Sequence, residues 1–238
     1  MKIIFTFLCG FLAFLGAHAE DGPMIGRPQP PQVLQVWDSR PQAEFNEQIL
    51  PVIQAEIARC KSCSVHNLTT YDASGQAVPP GTGVVWSSWG TPEALSGQSA
   101  VLLINANFRM SAELKPWADY LNRLVDLGTV VVLAAGQPVK GENSAPLSVT
   151  LAGKINHGII IGELGEKDRL LGASFYGPEM FTALHPPRDR IGQGGVPAQF
   201  AARLLSVYTK QSNWLQALAA KKSANRKIWM EMSDCFNR

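Results

Sequence analysis

The stretch Ala100-Val101-Leu102-Leu103-Ile104-Asn105-Ala106-Asn107 opens with an unbroken apolar run and turns polar at Asn105. An apolar run without alternation reads as a strand buried on both faces, the kind that parallel sheets use. Beyond it, Leu114, Trp117, Ala118, Leu121, Leu124 and Val125 recur at helical spacing, and Gly128 supplies a helix stop. A second apolar, β-branched run from Thr129 to Leu133 ends in Ala134-Ala135-Gly136-Gln137. Strand, helix and strand in this order form the parallel crossover unit, so this segment predicts an α/β architecture.

The flanking sequence extends the pattern. Val33-Leu34-Gln35-Val36-Trp37 is a short strand ending at Asp38-Ser39. From Glu44 to Arg59, Phe45, Ile49, Val52, Ile53, Ala55 and Ile57 follow a helical period that Pro51 interrupts. Ser64 to Thr69 reads as another strand and leads into the turn-rich Asp72-Ala73-Ser74-Gly75. Gly158 to Gly162 is a further strand, and a helix starting around Pro197 carries Phe200, Leu204 and Tyr208 on one side. The predicted fold class is α/β, a mostly parallel sheet with helices on both faces. Ligands meet such sheets at the carboxyl ends of the strands, which places Asp38, Asn105 and Gln137 on one edge.

Lys2, the apolar run from Ile3 to Leu15 and the small-x-small pattern Ala17-His18-Ala19 together predict a secretory signal over residues 1–19. A proline-rich lead-in over 20–32, a folded domain over 33–220 and an extension over 221–238 follow. The apolar core of the leader is shorter than the roughly 20 residues a membrane span needs, and no later stretch approaches that length. The expectation is therefore an exported protein, periplasmic or secreted, without a transmembrane segment after cleavage. The 46% hydrophobic and 17% charged content is ordinary for a globular domain, and 21 basic against 19 acidic residues without a basic run argue against a nucleic-acid partner.

Past the leader the cysteines are Cys60, Cys63 and Cys235. The Cys60–Cys63 pair can close a small loop, or either can reach Cys235; a structural disulfide or simple thiols are expected, and an exported thiol/disulfide protein using Cys60–Cys63 is the alternative. Zinc needs a second ligand pair, which His66 alone does not supply, so neither a metal nor another cofactor is expected.

Several segments, taken in order, resemble the subtilisin-like serine peptidases. Gly128 to Gln137 is similar to that family's strand of valines and alanines ending in glycine and asparagine. His157 to Gly162, followed by Gly172-Ala173-Ser174-Phe175-Tyr176-Gly177-Pro178-Glu179, is similar to the strand and Ser-Phe and Gly-Pro-Glu turn that precede the catalytic serine. Gly192 to Leu205, with Asn213-Trp214 beyond, matches the segment where the family places Gly-Thr-Ser at a helix start. Ser64 to Gln76 and Val33 to Ser39 resemble its earlier strands, so the likeness covers roughly residues 33 to 220.

The resemblance implies a subtilisin-like fold shortened at the front, and it also implies missing chemistry. A serine peptidase needs a nucleophile, an imidazole base, a carboxylate to orient it and oxyanion donors. Asp38 matches the carboxylate, but the helix near Glu44 to Asn46 lacks the family's histidine, and Gly194 falls at the nucleophile position. Gln137 stands where the family keeps its oxyanion asparagine. Asn105-Ala106-Asn107-Phe108 matches the substrate-binding strand end, where Phe108 and Arg109 replace glycines. Phe108 either obstructs the specificity pocket or packs beneath the neighbouring loop. The expected function is a catalytically degenerate domain that binds a protein or peptide through Asn105, Asn107, Phe108 and Gln137. The competing expectation is a divergent active peptidase using Ser174 with His66 or His157.

Overall fold

The computed structural model describes residues 32–58, 60–78, 89–137, 143–165, 169–171, 174–186 and 195–208. The expected leader, nearly all of the expected lead-in, Gly194, Cys235 and the expected C-terminal extension lie outside these residues.

Among the described residues six strands form one sheet: β1 Val33–Asp38, β2 Ser64–Asn67, β3 Val101–Asn105, β4 Val130–Ala134, β5 Ile159–Glu163 and β6 Thr182–Leu184. Their order is β2-β1-β3-β4-β5-β6, and every neighbouring pair is parallel. This is the α/β class that the alternation of apolar strands and amphipathic helices predicts. Every residue of β3, β4 and β5 is buried, which explains their lack of alternation.

Among the described residues four helices cover the two faces. The first, α1, runs over 42–57, with Gln42–Glu44 and Leu50–Ile57 in α geometry and Phe45–Ile49 between them as a π-helical turn. Pro51 explains that turn. It cannot donate to a carbonyl and its ring crowds the preceding turn, and the chain accommodates it by widening: Leu50 N–H donates to the Phe45 carbonyl, five residues back. The remaining helices are α2 Pro92–Ser96, α3 Lys115–Asp126 and α4 Gly195–Tyr208.

Phe45, Ile49 and Ile53 of α1 pack with Phe200, Leu204 and Leu205 of α4 against Leu34, Val36, Val101 and Leu103 on one face of the sheet. On the other face Leu95 of α2 and Trp117, Leu121 and Leu124 of α3 cover Trp37, Leu102, Ile104 and Val131. Each such side chain, fully buried, contributes about 1.5–3 kcal/mol of hydrophobic stabilisation before entropy is counted. Gly128 closes α3 at φ 92°, a left-handed conformation that glycine adopts without penalty.

Two elements escape the hydrophobic pattern. The helix α2 is too short to show a period, although Thr91-Pro92-Glu93 announces it chemically: Thr91 Oγ1 caps the Ala94 amide at 3.2 Å and Pro92 follows in the first turn. Strand β6 is three residues long and carries its pairing in the register with β5 rather than in its composition.

Candidate functional site

The sheet grows in one direction from β1 to β2 and in the other from β1 to β3, so a topological switch point falls between β1 and β3. Asp38 and Asn105 are direct register partners there, each the last residue of its strand. A cleft of about 320 Å³ opens along this carboxyl edge. Clefts form at such points because the two following connections leave toward opposite sides.

At the β1 end the Asp38 side chain is fully buried. One of its carboxylate oxygens accepts from the Arg40 amide at 2.9 Å; the other accepts from Arg40 Nη1 at 2.8 Å and from Asn105 Nδ2 at 2.6 Å. Thr69 Oγ1 accepts from the Asp38 amide at 2.9 Å and fixes the strand end. Burial pushes the Asp38 carboxyl above its ordinary value; the Arg40 charge and the hydrogen bonds from Arg40 and Asn105 pull against it. Arg40, about one-fifth exposed, forms part of the cleft wall above the acid.

In the middle, Asn107 is a structural cross-link. Its Nδ2 donates to the Ala135 carbonyl at 2.8 Å and to Thr150 Oγ1 at 3.0 Å, while its Oδ1 accepts from the Phe108 and Ala152 amides, both at 3.0 Å. The amide thus ties the end of β3 to the loops after β4. Backbone bonds extend the tie: Met110 N–H donates to Val149 O at 2.9 Å and Leu151 N–H to Phe108 O at 2.8 Å. Gly136 makes room for it; at φ 73° a Cβ would stand 2.6 Å from Asn107 Cβ. Phe108 lines the cleft and turns its ring inward, edge-on to Trp37 at 6.0 Å and tilted against Trp117 at 6.3 Å. Gln137 is exposed and lines the same cleft.

The β5 end carries two residues of reactive type. Glu163, the last residue of β5, is 9% exposed and lines the cleft with Ser174 and Pro197 of α4. Ser174 is held by its backbone: its amide donates to Leu171 O at 2.8 Å and its carbonyl accepts from the Ser144 hydroxyl. Arg40 and Glu163 are not among the residues that the sequence patterns above mark as functional. Both carried a signal, a charged residue immediately at or just past the end of an apolar strand.

The chain's histidines are His18, in the expected leader, and His66, His157 and His185. None of the last three is among the described residues that line the cleft. His66 pairs with Gln35, three residues before Asp38, and is exposed on the edge strand. His157 precedes β5, at the amino edge, so the length of that five-residue strand, roughly 16 Å, separates it from the cleft. Cys60 and Cys63 form a disulfide, with their Cα atoms 5.3 Å apart. It sits between α1 and the start of β2, at the amino edge and away from the cleft. Among the described residues no group of His, Cys, Asp and Glu side chains is arranged to hold a metal ion, and no helix is long and apolar enough to cross a membrane.

A six-stranded parallel sheet with helices on both faces and a cleft at its switch point defines the class. No family model and no curated protein matches the chain by sequence. Solved structures match it in three dimensions. A cold-adapted subtilisin-like serine proteinase superposes with a TM-score of 0.52 at 14% identity, over 79% of this chain and 79% of that one. A protease from Pseudoalteromonas arctica gives a TM-score of 0.52 at 13% identity, over 75% of this chain and 64% of that one. The fold is subtilisin-like.

Proposed function

We propose that this chain is an exported binding protein, built on a subtilisin-like scaffold without serine-peptidase chemistry, that holds a peptide or a protein segment in the cleft at the carboxyl edge. One observation carries the reading. Asp38, which the family resemblance matches to the carboxylate that orients a histidine, is instead sealed under Arg40 and bonded to Arg40 and Asn105. An acid held this way stabilises a guanidinium, not an imidazolium, and Arg40 cannot act as a base near neutral pH.

The competing reading, a divergent peptidase, draws support from Ser174 in the cleft wall. It needs an imidazole within about 3 Å of that hydroxyl, and neither His66 nor His157, the two bases expected for it, lines the cleft. Treating the purified mature chain with a fluorophosphonate separates the two. The expected outcome is no covalent adduct by mass spectrometry; stoichiometric labelling of Ser174 or any other serine establishes the peptidase instead.

A further inference from the structure

The Cys60–Cys63 bridge takes no part in the cleft, and its surroundings offer the reduced pair something the bridge cannot use. Both cysteines are half-buried, and Lys61 and Ser62 at the tip of the turn are exposed, so a reductant can reach the sulfurs. Gln32, the residue before β1, brings an acceptor to both: its Oε1 stands 3.4 Å from Cys60 Sγ and 3.8 Å from Cys63 Sγ, and it also accepts from the Ser62 hydroxyl. The sulfurs of a disulfide carry no proton, so neither can donate to that oxygen while the bridge is closed. Two thiols can. A hydrogen bond made only in the dithiol form favours reduction.

The turn is also held without the bridge. Cys60 N–H donates to the Ile57 carbonyl at 2.8 Å and Cys63 N–H to the Cys60 carbonyl at 3.3 Å, which keeps the two side chains together. Ser64 N–H donates to the Gln32 carbonyl at 3.0 Å, and β2 pairs with β1 from Val33 and Ser64 onward. A bridge between residues three apart closes a short loop, which restrains the unfolded chain less than a long one does. Its local effect is different. It ties the end of α1 to the start of β2, the first strand in the sheet order, whose one neighbour among the described residues is β1.

We infer that Cys60–Cys63 is a reversible redox site for dithiols, a latch on the edge strand β2 that opens without unfolding the domain. A thiolate of the dithiol attacks one sulfur of the bridge, forms a mixed disulfide and displaces the other sulfur. The second thiol of the dithiol then attacks its own bridged sulfur and releases the protein. The dithiol leaves as a disulfide, two electrons pass to the cysteine pair, and two protons end on Cys60 and Cys63, where they meet Gln32 Oε1. The inference stands apart from the peptide-binding reading and survives its failure.

The test equilibrates the folded mature chain with graded ratios of reduced to oxidised dithiothreitol. Alkylation and mass spectrometry of the peptide carrying Cys60 and Cys63 then give the dithiol fraction apart from Cys235. The pair is expected to reduce fully with circular dichroism and tryptophan fluorescence unchanged, and to close again when the ratio is reversed. Gln32→Leu removes the acceptor, keeps the main-chain bond to Ser64, and is expected to need a ratio about three- to tenfold higher for half reduction. Hydrogen exchange of the β2 amides should speed up on reduction while that of β3 and β4 holds, and Cys60→Ser with Cys63→Ser should show the same fast β2 exchange without any reductant. Four results overturn the inference: reduction only under denaturing conditions, reduction that unfolds the chain, a Gln32→Leu midpoint no higher than the natural one, or β2 protection that is the same with the bridge open and closed.

Discussion

Asp38 and Glu163 are both buried acids that end a strand on the same edge of the same sheet, yet they have opposite surroundings. Asp38 is fully enclosed, bonded by Arg40 and Asn105, and roofed over by the Arg40 side chain. Glu163 lies in the cleft wall beside an opening and the start of a helix. A strand end in this fold delivers a side chain to the cleft edge, and at Asp38 the residue two positions later covers it. Arg40 makes Asp38 structural. Glu163 is followed by Leu164 and Gly165 and itself stands in the cleft wall.

The strongest way to break this contrast is to remove each acid in turn. Asp38→Ala strips Arg40 and Asn105 of their shared acceptor, and loss of one partner of a largely buried pair is expected to cost about 2–4 kcal/mol. Glu163→Gln keeps shape and hydrogen-bonding capacity and is expected to cost under about 1 kcal/mol. Urea unfolding followed by tryptophan fluorescence measures both; equal losses dissolve the distinction.

The pH dependence sharpens it. Because burial raises the Asp38 pKa in the folded protein, the native state holds that proton longer than the unfolded chain does. Its contribution to stability is therefore fully present below the unfolded value of about 3.8 and is lost as pH rises through the raised folded value. Unfolding free energies compared between the natural chain and Asp38→Asn should converge toward acid pH and part as pH rises through that window, the natural chain losing ground.

A smaller effect is expected at the wall between the two acids. Gly136→Ala forces an L side chain into a left-handed conformation and drives its Cβ against Asn107. Strain plus displacement of that cross-link is expected to cost roughly 1–3 kcal/mol and to weaken peptide binding at both ends of the cleft. Unchanged stability would mean that Asn107 is not a tie.

Much of this was legible beforehand, and the reasons differ by residue. The unbroken run Val101–Asn105 and the period of α3 announce themselves because burial on two faces and on one face leave different residue patterns. Asp38 and Asn105 were readable as edge residues because they are the first polar positions after such runs. Asn107 was not readable as a cross-link: its role lies in partners 28, 43 and 45 residues away, which no local pattern encodes. Arg40 was missed because a charged residue in a loop after a strand resembles any solvated side chain until Asp38 is seen beneath it. Glu163 was not legible because the apolar run of its strand ends in Gly162, and the strand itself extends one residue further.

The mildest test extends the comparison to a third buried acid, one the fold keeps neutral. Tyr120, on α3, donates its hydroxyl to the Gly90 carbonyl at 3.2 Å, and burial, followed by the negative charge of Glu93, pushes its pKa up to about 12. Above the ordinary tyrosine value of about 10 the unfolded chain ionises first, so the native state gives up stability between about pH 10 and pH 12. Phenolate absorbance in an alkaline titration should show a late step, and Tyr120→Phe should delete it. A late step that persists in the variant belongs to another group and removes the burial of Tyr120 as its cause.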